Sequence, residues 1–257
     1  MGDNYLKIYL LICVFVFQFS LQAQHFITLS MGFGLTFYSS NDLTTFTETY
    51  NAVNTLNLAA PFNGIGYAPG IRWEIGYRYY RSITTAVFVG IQNDTKKDAA
   101  KFGNGSVREL NFSTNSISIE YDLGYSFNKL FICGLFGIYY RNLKIDSKYH
   151  RLTGQDPPKV LTGVYKSNGS LSSDIGITAG FCRFPAILAI KISYPIYVGG
   201  GSEVLRDDNE TKIAEGLDKF PDDYLAYVNH ETYNGVKSDI NGLKVTIKIS
   251  LALRFKK

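Results

Sequence analysis

Hydrophobic and polar residues alternate along several long segments of this chain. The clearest is Leu243–Phe255, where apolar side chains occupy every odd position and small, polar or basic ones occupy the even positions. A repeat of two residues sends successive side chains to opposite faces of an extended strand. The segment is longer than the usual soluble strand of about five or six residues. A tilted strand that crosses a bilayer needs about nine to eleven, so this segment predicts a membrane-crossing strand.

Seven other segments repeat the pattern, so we predict about eight strands. The third of them, 83–92, alternates least regularly. The predicted strands cover 27–37, 71–80, 83–92, 117–127, 130–145, 174–182, 188–198 and 243–255.

The connections between these segments are of two kinds. Three are short and lie around Arg81-Ser82, Asn128-Lys129 and Phe184-Pro185-Ala186. Four are long and polar and cover 39–69, 95–110, 150–170 and 201–241. Short turns at one end and long loops at the other are typical of outer-membrane barrels. We therefore predict an all-β fold, a transmembrane up-and-down antiparallel β-barrel, with both termini periplasmic and the long loops extracellular.

The residues on the two faces indicate which side of this barrel meets lipid. The polar face consists largely of Gly, Ser and Thr with a few charges, which suits the crowded inside of a narrow barrel. Aromatic residues make up 15% of the chain and gather near the strand ends, as in the interfacial girdles of membrane barrels. A soluble lipocalin-like barrel would instead keep its apolar face inside.

The first 23 residues predict a secretory signal peptide. Lys7 precedes a short apolar core, Ile8–Phe17, and the small residue Ala23 marks the expected cleavage site. The apolar core is too short to cross a bilayer as a helix. We expect residues 24–257 to form the mature barrel domain in a bacterial outer membrane.

The pattern resembles the small eight-stranded outer-membrane barrels of the OmpX and OmpA transmembrane-domain type. The resemblance covers about 25–257 and depends on the alternation, the loop asymmetry and the aromatic terminal strand Leu243–Phe255. Members of this family usually end on an aromatic residue, whereas Lys256-Lys257 follow Phe255 here. The segment Leu21-Gln22-Ala23-Gln24 is similar to signal peptides of Bacteroidota, in which PorT-like barrels occur.

The inward face of the predicted barrel carries charged side chains of both signs. They are Arg72, Glu74, Arg78, Glu120, Asp122, Arg141, Asp174, Lys191, Lys244, Lys248 and Arg254. Glu74, Glu120 and Lys248 fall at a similar depth when residues are counted from the turns. Buried charges need partners, so we interpret the set as a lumen network of ion pairs. A gate that re-pairs to open a narrow channel, and a ligand or ion site, are the alternatives.

Cys133 and Cys182 are the two cysteines of the predicted mature chain. Both are expected to point inward near the turn end of neighbouring strands. A disulfide between them and two independent apolar fillers both remain open, because sequence does not fix the register.

Catalytic and nucleic-acid chemistry find little support in the sequence. His25 lies at the predicted mature N-terminus, while His150 and His230 fall in predicted loops, away from any serine at membrane level. The net charge of +4 is spread over the chain rather than gathered in a basic block. We predict no enzyme activity, no cofactor, no metal and no nucleic-acid partner.

The long loops are the expected functional surface. Residues 201–241 repeat apolar side chains at helical spacing and would cover the barrel mouth or dock a partner. We predict a non-enzymatic barrel with a filled lumen, whose partners are outer-membrane lipid and other outer-membrane or surface proteins. The alternatives are an accessory subunit of a secretion or barrel-assembly complex and a narrow channel.

Overall fold

The fold consists mainly of long strands. In chain order the elements are β1 (Gln24–Ser39), α1 (Asn41–Val53), β2 (Leu58–Ala60), β3 (Tyr67–Tyr80), β4 (Ile83–Phe102), β5 (Val107–Phe127), β6 (Leu130–His150), β7 (Gly163–Lys166), β8 (Ser170–Arg183), β9 (Ala186–Gly199) and β10 (Asn241–Arg254). This computed structural model describes residues 24–151, 162–166, 169–199, 205 and 241–254. The predicted signal peptide, Phe255 and most of the predicted loop 201–241 lie outside the described residues.

Eight of these strands close into a ring, in the order β1, β3, β4, β5, β6, β8, β9 and β10. Every pairing between neighbours is antiparallel, and β1 closes the ring by pairing with β10 from Phe26–Arg254 to Ser39–Asn241. The short strands β2 and β7 are additions that pair with β4 and β6. The predicted all-β up-and-down barrel of about eight strands is therefore confirmed.

The strands are strongly staggered around the ring. If paired residues are followed from strand to strand around the ring, a path that starts at Leu188 of β9 ends at Gly199 of the same strand. These two residues are eleven positions apart, and Ile196 between them is a bulge with no paired residue in β8. The intermediate partners are Ile249, Met31, Trp73, Ile91, Ile117, Tyr140 and Leu171. A stagger of this kind accompanies strand tilts of about 35–45° in small barrels.

The outer wall of the ring is apolar. On β5 the residues Ile117, Ile119, Tyr121, Leu123, Tyr125 and Phe127 are all exposed. Between them, Ser118, Glu120 and Asp122 are buried on the inside. Eleven residues of a tilted strand span about 25 Å along the barrel axis, which is the height of the lipid-facing belt of outer-membrane barrels. This polarity is the reverse of a lipocalin-like barrel.

Three two-residue turns lie at one end of the barrel, at Arg81-Ser82, Asn128-Lys129 and Phe184-Pro185. Asn128 has a φ of 57°, a left-handed conformation that asparagine tolerates better than most residues. The first and last described residues, Gln24 and Arg254, lie at this same end. Of the helices in the described residues, none is long and apolar enough to cross a membrane.

The prediction of a long loop over 95–110 is wrong. Strands β4 and β5 stay paired as far as Lys101–Val107, so only residues 103–106 form the connection. Two of the other predicted loops also contain structure, since 39–69 holds α1 and β2 while 150–170 holds β7. The outward residues of β4 become polar beyond Ile91, so the alternation of apolar side chains that marks the lower strand disappears there.

The apolar face changes sides where the strands leave the belt. On β6 the outward residues of the lower part are apolar, whereas Leu143 and Ile145 in the upper part point inward and are buried. Leu110 and Phe112 on β5 do the same. These inward residues form one core with α1 and the segment after β2. Its members are Leu43, Phe46, Tyr50, Phe62, Ile65, Ala100, Leu110, Phe112, Leu143, Ile145, Tyr165 and Leu205.

We call this region the cap, formed by α1, residues 54–66 and the upper parts of β4, β5 and β6. Ser40 begins α1, because its hydroxyl accepts a hydrogen bond from the Leu43 amide at 3.4 Å. The Asn51 side chain bonds both to the Phe62 carbonyl (2.9 Å) and to the Phe62 amide (2.8 Å). Burial in this core raises the pKa of Tyr50. The cap therefore has the polar exterior and apolar interior of a water-soluble unit.

Replacement of Phe46 by alanine should loosen the cap and leave the barrel intact. Phe46 is fully buried, and removal of a buried phenylalanine costs about 3–5 kcal/mol. Hydrogen exchange of the α1 amides should become roughly a hundredfold faster or more, the factor expected for a cost of this size when exchange proceeds through opening of the cap. Exchange in β1 and β10 should not change. Leu56→Ala is the matched control, because Leu56 is 98% exposed. Equal α1 exchange in the two variants would contradict the assigned core.

Candidate functional site

The centre of the lumen holds five charged side chains in direct contact. Glu74 accepts from Arg72 at 2.5 Å, from Lys248 at 2.5 Å and from Lys191 at 2.8 Å. Glu120 pairs with Arg72 at 2.6 Å and also with Lys191. These residues come from four strands, β3, β5, β9 and β10, so the group ties opposite walls of the barrel together. Three cations and two carboxylates thus form one connected group.

Neutral side chains complete the hydrogen bonds of this group. Arg72 also donates to the Ser118 hydroxyl at 2.8 Å and to Gln92 at 3.2 Å. The Tyr139 hydroxyl donates to Glu120. Because buried charges are costly without such partners, the full set of donors and acceptors is what makes the group tolerable.

A second ion-pair group lies on the loop side of the first. Asp174 accepts from Arg141 and from Lys244, each at 2.8 Å, and from the Ser172 hydroxyl at 2.9 Å. A third group lies on the turn side, where Arg78 pairs with Asp122 at 3.1 Å and Thr178 donates to Asp122 at 3.1 Å. All of these side chains are buried. The lumen network therefore extends along the barrel axis in three layers.

Ten of the eleven charged residues predicted for the lumen lie in these three groups. Arg254 does not, because it is exposed at the turn end, opposite Phe26 of β1. The other even-numbered residues of β10 point into the barrel, and Arg254 continues that series, but the barrel opens to solvent at the turn end. The prediction for Arg254 is therefore wrong.

Two aromatic rings that the sequence did not single out lie against the six lumen cations. The Phe88 ring has Lys248 at 3.8 Å, Lys191 at 4.4 Å and Arg78 at 5.5 Å from its centroid. The Tyr139 ring has Lys244 at 3.7 Å, Arg141 at 5.2 Å and Arg72 at 5.6 Å. Such contacts stabilise a desolvated cation. Phe88 is a large residue at an inward position of β4, which explains the poor alternation of that segment.

Glycines make room for these long side chains. A Cβ on Gly76 would lie 2.3 Å from the Phe88 ring, and a Cβ on Gly90 would lie 2.9 Å from the Arg72 guanidinium. The Phe88 ring and the Arg72 guanidinium would therefore have to move to admit these Cβ atoms. The small residues of the inward face are thus required by the size of the charged and aromatic ones.

Asp94 is a fifth lumen carboxylate that the sequence analysis missed. It is buried and accepts from Gln92 at 2.7 Å, from Thr36 at 3.0 Å and from Tyr38 at 3.4 Å. It borders a cavity of about 10 Å³, with room for one water molecule, which Arg141 and Lys244 also line. The residue was assigned to no strand because the predicted third strand ended at 92.

Apolar residues close the lumen at the turn end. The cluster consists of Phe26, Phe131, Cys133, Cys182, Ile187, Ala189 and Ala252, with Tyr80 packed against it. The Arg78 guanidinium lies 4.4 Å from the Phe131 ring, so this cluster is in direct contact with the charged layers. A cleft of about 400 Å³ beyond it, lined by Tyr80 and Phe184 among others, lies between the turns. The cap core closes the opposite end.

The two cysteines are buried free thiols in this apolar cluster. Cys133 pairs across the sheet with Thr178, whereas Cys182 lies four residues further along β8. Four residues of a strand span about 13 Å. A disulfide requires Cα atoms less than about 7 Å apart, so the disulfide alternative does not hold in this register.

The described residues contain no group of three or more His, Cys, Asp and Glu side chains placed to hold a metal ion. The network is charge-paired, aromatic-lined and sealed at both ends by apolar clusters.

No family model matches the chain, and no curated protein matches it in sequence. Among solved structures it is similar to Ail, the attachment invasion locus protein of Yersinia pestis, in complex with the heparin analogue sucrose octasulfate. That similarity has 7% identity, a TM-score of 0.40, and coverage of 91% of this chain and 100% of the other. A structure of Ail in a phospholipid bilayer nanodisc gives 11% identity, a TM-score of 0.34, and coverage of 89% and 99%.

A major outer membrane protein from Thermus thermophilus gives 12% identity, a TM-score of 0.44, and coverage of 88% of this chain and 99% of the other. At such identities and TM-scores, no function is transferred from these proteins to this chain.

Neutralising Glu74 should destabilise the barrel strongly. Glu74→Gln leaves three buried cations with one carboxylate fewer, and breaking a buried pair in this way costs about 3–5 kcal/mol of unfolding free energy. Urea unfolding in lipid vesicles measures the change. Glu109→Gln is the control, since the Glu109–Lys97 pair at 3.5 Å is exposed and contributes about 0–1 kcal/mol.

A second variant separates the charge effect from a packing effect. Glu74→Gln combined with Lys248→Gln removes one cation together with the carboxylate, so it should recover part of the stability lost in Glu74→Gln alone. Equal unfolding free energies for Glu74→Gln and Glu109→Gln would contradict the proposed network.

Proposed function

We propose that this protein is a non-enzymatic integral barrel of a bacterial outer membrane, with a sealed lumen and an extracellular cap that serves as its partner-binding surface. The chain termini and the three tight turns lie on the periplasmic side in this proposal. The observation that carries it is the pair of apolar clusters that close a charge-filled lumen inside an apolar outer wall.

The outer wall supports membrane insertion. An exposed apolar surface of this height on a water-soluble monomer would be a severe aggregation hazard. Its ends carry aromatic residues, which suit the two interfaces between lipid and water. Towards the turns they are Tyr77, Tyr125, Phe127, Phe181 and Phe184, and towards the cap they are Phe37, Tyr67, Tyr140, Tyr194 and Tyr197. The signal peptide predicted at 1–23 would provide the export route.

The filled lumen supports a role other than conduction. Eight strands leave an interior that side chains can fill, and here three charged layers occupy it. An ion would have to displace the Phe26–Phe131 cluster at one end and the cap core at the other. The lumen network thus acts as a permanent internal support.

The cap supports a surface role. In the cap, the paired strands β4, β5 and β6 extend about 25 Å beyond the apolar belt, with polar side chains outward and a packed core inward. A rigid sheet of this kind can present side chains to another molecule without refolding. No specific contact among the described residues favours the alternative of an accessory subunit in a larger complex.

A charge on the outer wall should disturb insertion only within the belt. Leu123 is exposed near the middle of the belt on β5, so Leu123→Arg should cost about 2–4 kcal/mol of folding free energy in lipid vesicles. Asn111→Arg on the same strand and face lies in the cap region and should have little effect. Similar costs for the two variants would contradict the assigned belt.

Purified protein in planar bilayers should give no steady conductance steps, because apolar clusters block both ends of the lumen. A porin in the same bilayers is the positive control. Regular conductance steps from the purified chain would favour the channel alternative over the sealed barrel.

A further inference from the structure

Basic residues are concentrated at the turn end of the barrel. Arg81, Lys129 and Arg183 lie in or directly beside the three tight turns, one at each turn. Arg254 ends β10 at the same level, and Lys129, Arg183 and Arg254 are all exposed. No residue is acidic in the described segments that form this end, which are 24–29, 75–89, 123–135, 177–190 and 249–254. The rim of the turns therefore carries charge of one sign.

A rim of one sign differs from the rest of the water-facing surface. Such surfaces usually mix both signs, and the cap does so, because Lys97 lies 3.5 Å from Glu109 and Lys148 lies 3.2 Å from Asp146. The first acidic residue above the turns in the described part of the chain is Asp122, which is buried and pairs with Arg78. The exposed cations of the rim must therefore receive their counter-charge from outside the described barrel.

The rim surrounds the cleft of about 400 Å³ at this end, whose lining includes residues of all three tight turns. This volume lies in the range of ligand pockets, about 300–1,000 Å³. Backbone hydrogen bonds from amide to carbonyl join neighbouring hairpins around the cleft, so its shape is set before a ligand arrives. They run from Ser126 to Ser82 at 2.9 Å, from Cys182 to Lys129 at 2.7 Å and from Ala252 to Pro185 at 2.7 Å.

The lining of the cleft combines neutral hydrogen-bonding groups with aromatic rings. The side chains of Gln24, Ser82 and Asn128 line it and make no hydrogen bond within the described part of the chain. The Tyr80 and Phe184 rings provide apolar surface beside them. Side-chain amides both donate and accept hydrogen bonds, as the backbone of an extended peptide does, so the lining suits a peptide.

The lumen layer on the turn side also presents a cation with a spare donor. Arg78 is 1% exposed, and its Nη1 has no hydrogen-bond partner among the described residues. Its guanidinium lies 4.4 Å from the Phe131 ring, and the Tyr80 ring of the cleft packs edge-on against that same ring, with centroids 6.3 Å apart. Asp122 therefore satisfies only part of this guanidinium, and the rest adds to the attraction for an anion at this end.

We propose that the turn end binds an acidic peptide segment of a periplasmic protein in the cleft between the three turns. Acidic side chains of the peptide pair with Lys129, Arg183 and Arg254, while Gln24 and Asn128 bond to its backbone. Lipid headgroups also carry negative charge, but they surround the outer wall, whereas the cleft lies inside the ring. This partner is additional to the one proposed for the cap, and its compartment rests on the periplasmic placement of the turns given under the proposed function.

The test uses the full mature chain in phosphatidylcholine nanodiscs and a fluorescein-labelled hexaglutamate peptide, with binding measured by fluorescence anisotropy. Lys129→Gln combined with Arg183→Gln should weaken binding roughly three- to tenfold, the combined effect expected of two solvent-exposed charge pairs. The matched control, Lys101→Gln combined with Lys148→Gln, removes the same charge from the cap and should bind as the unmodified chain does. A hexaglutamine peptide should bind the unmodified chain far more weakly than hexaglutamate.

A second variant separates the cleft from the charge of its rim. Ser82 is exposed in the first tight turn, so Ser82→Trp leaves every charge in place and puts an indole ring into the cleft. Hexaglutamate binding should be lost, while the urea unfolding midpoint should match that of the unmodified chain.

Equal hexaglutamate binding by the two charge variants, or undiminished binding by Ser82→Trp, would overturn the inference. Displacement of hexaglutamate by phosphatidylglycerol in the nanodisc, with Ser82→Trp binding as the unmodified chain does, would assign the rim to lipid headgroups instead. Nanodiscs expose both ends of the barrel, so these measurements do not depend on which end is periplasmic. Failure of the unmodified chain to enter nanodiscs would overturn the membrane placement itself, so the two failures are distinguishable.

Discussion

The rest of this structure depends on the need to pair every backbone amide and carbonyl that faces an apolar surrounding. A sheet in such surroundings has no tolerable edge, so it must close on itself, and the pairing of β1 with β10 provides that closure. Closure with eight strands then fixes a narrow interior. Side chains from opposite walls meet there, as Glu74 of β3 and Lys248 of β10 do. The charged network, the aromatic rings against it and the glycines beside them are consequences of this narrow ring.

The same strands serve two surroundings with opposite requirements. Along the belt, β5 presents Ile117 and Leu123 outward and keeps Glu120 inside. Beyond the belt, the outward surface meets water, and the apolar residues Leu110 and Phe112 of the same strand turn inward. The strand continues without a break through this change. Its outward residues are apolar along the belt, and its inward residues are apolar above the belt. One continuous pair of strands thereby becomes both the membrane wall and the sheet of the cap.

Much of the barrel was predictable from the sequence, because lipid contact demands a strict alternation that a reader can see. This alternation predicts the number of strands and the positions of the tight turns. It also predicts that the side chains of Glu74 and Arg141 point inward. The upper parts of β4 and β5 do not show this alternation, because their outward residues become polar from Asn93 of β4 and Asn115 of β5 onwards. Phe88 and Asp94 were missed for related reasons, one as an irregularity and the other as a loop residue. The relation between Cys133 and Cys182 depends on register, which periodicity does not reveal.

The clearest physical role of the lumen charges is to fix the register in which neighbouring strands pair. A slip of one residue between β10 and β1 would send Lys248 into the belt, which the cost of a charge in lipid forbids. A slip of two residues keeps every side chain on its own face, so alternation alone does not oppose it. It would, however, move Lys248 about 7 Å along the strand, away from Glu74, and leave a buried carboxylate with fewer partners. Alternation therefore excludes the odd registers and the ion pairs exclude the even ones, so a costly network is retained for the single register that it specifies.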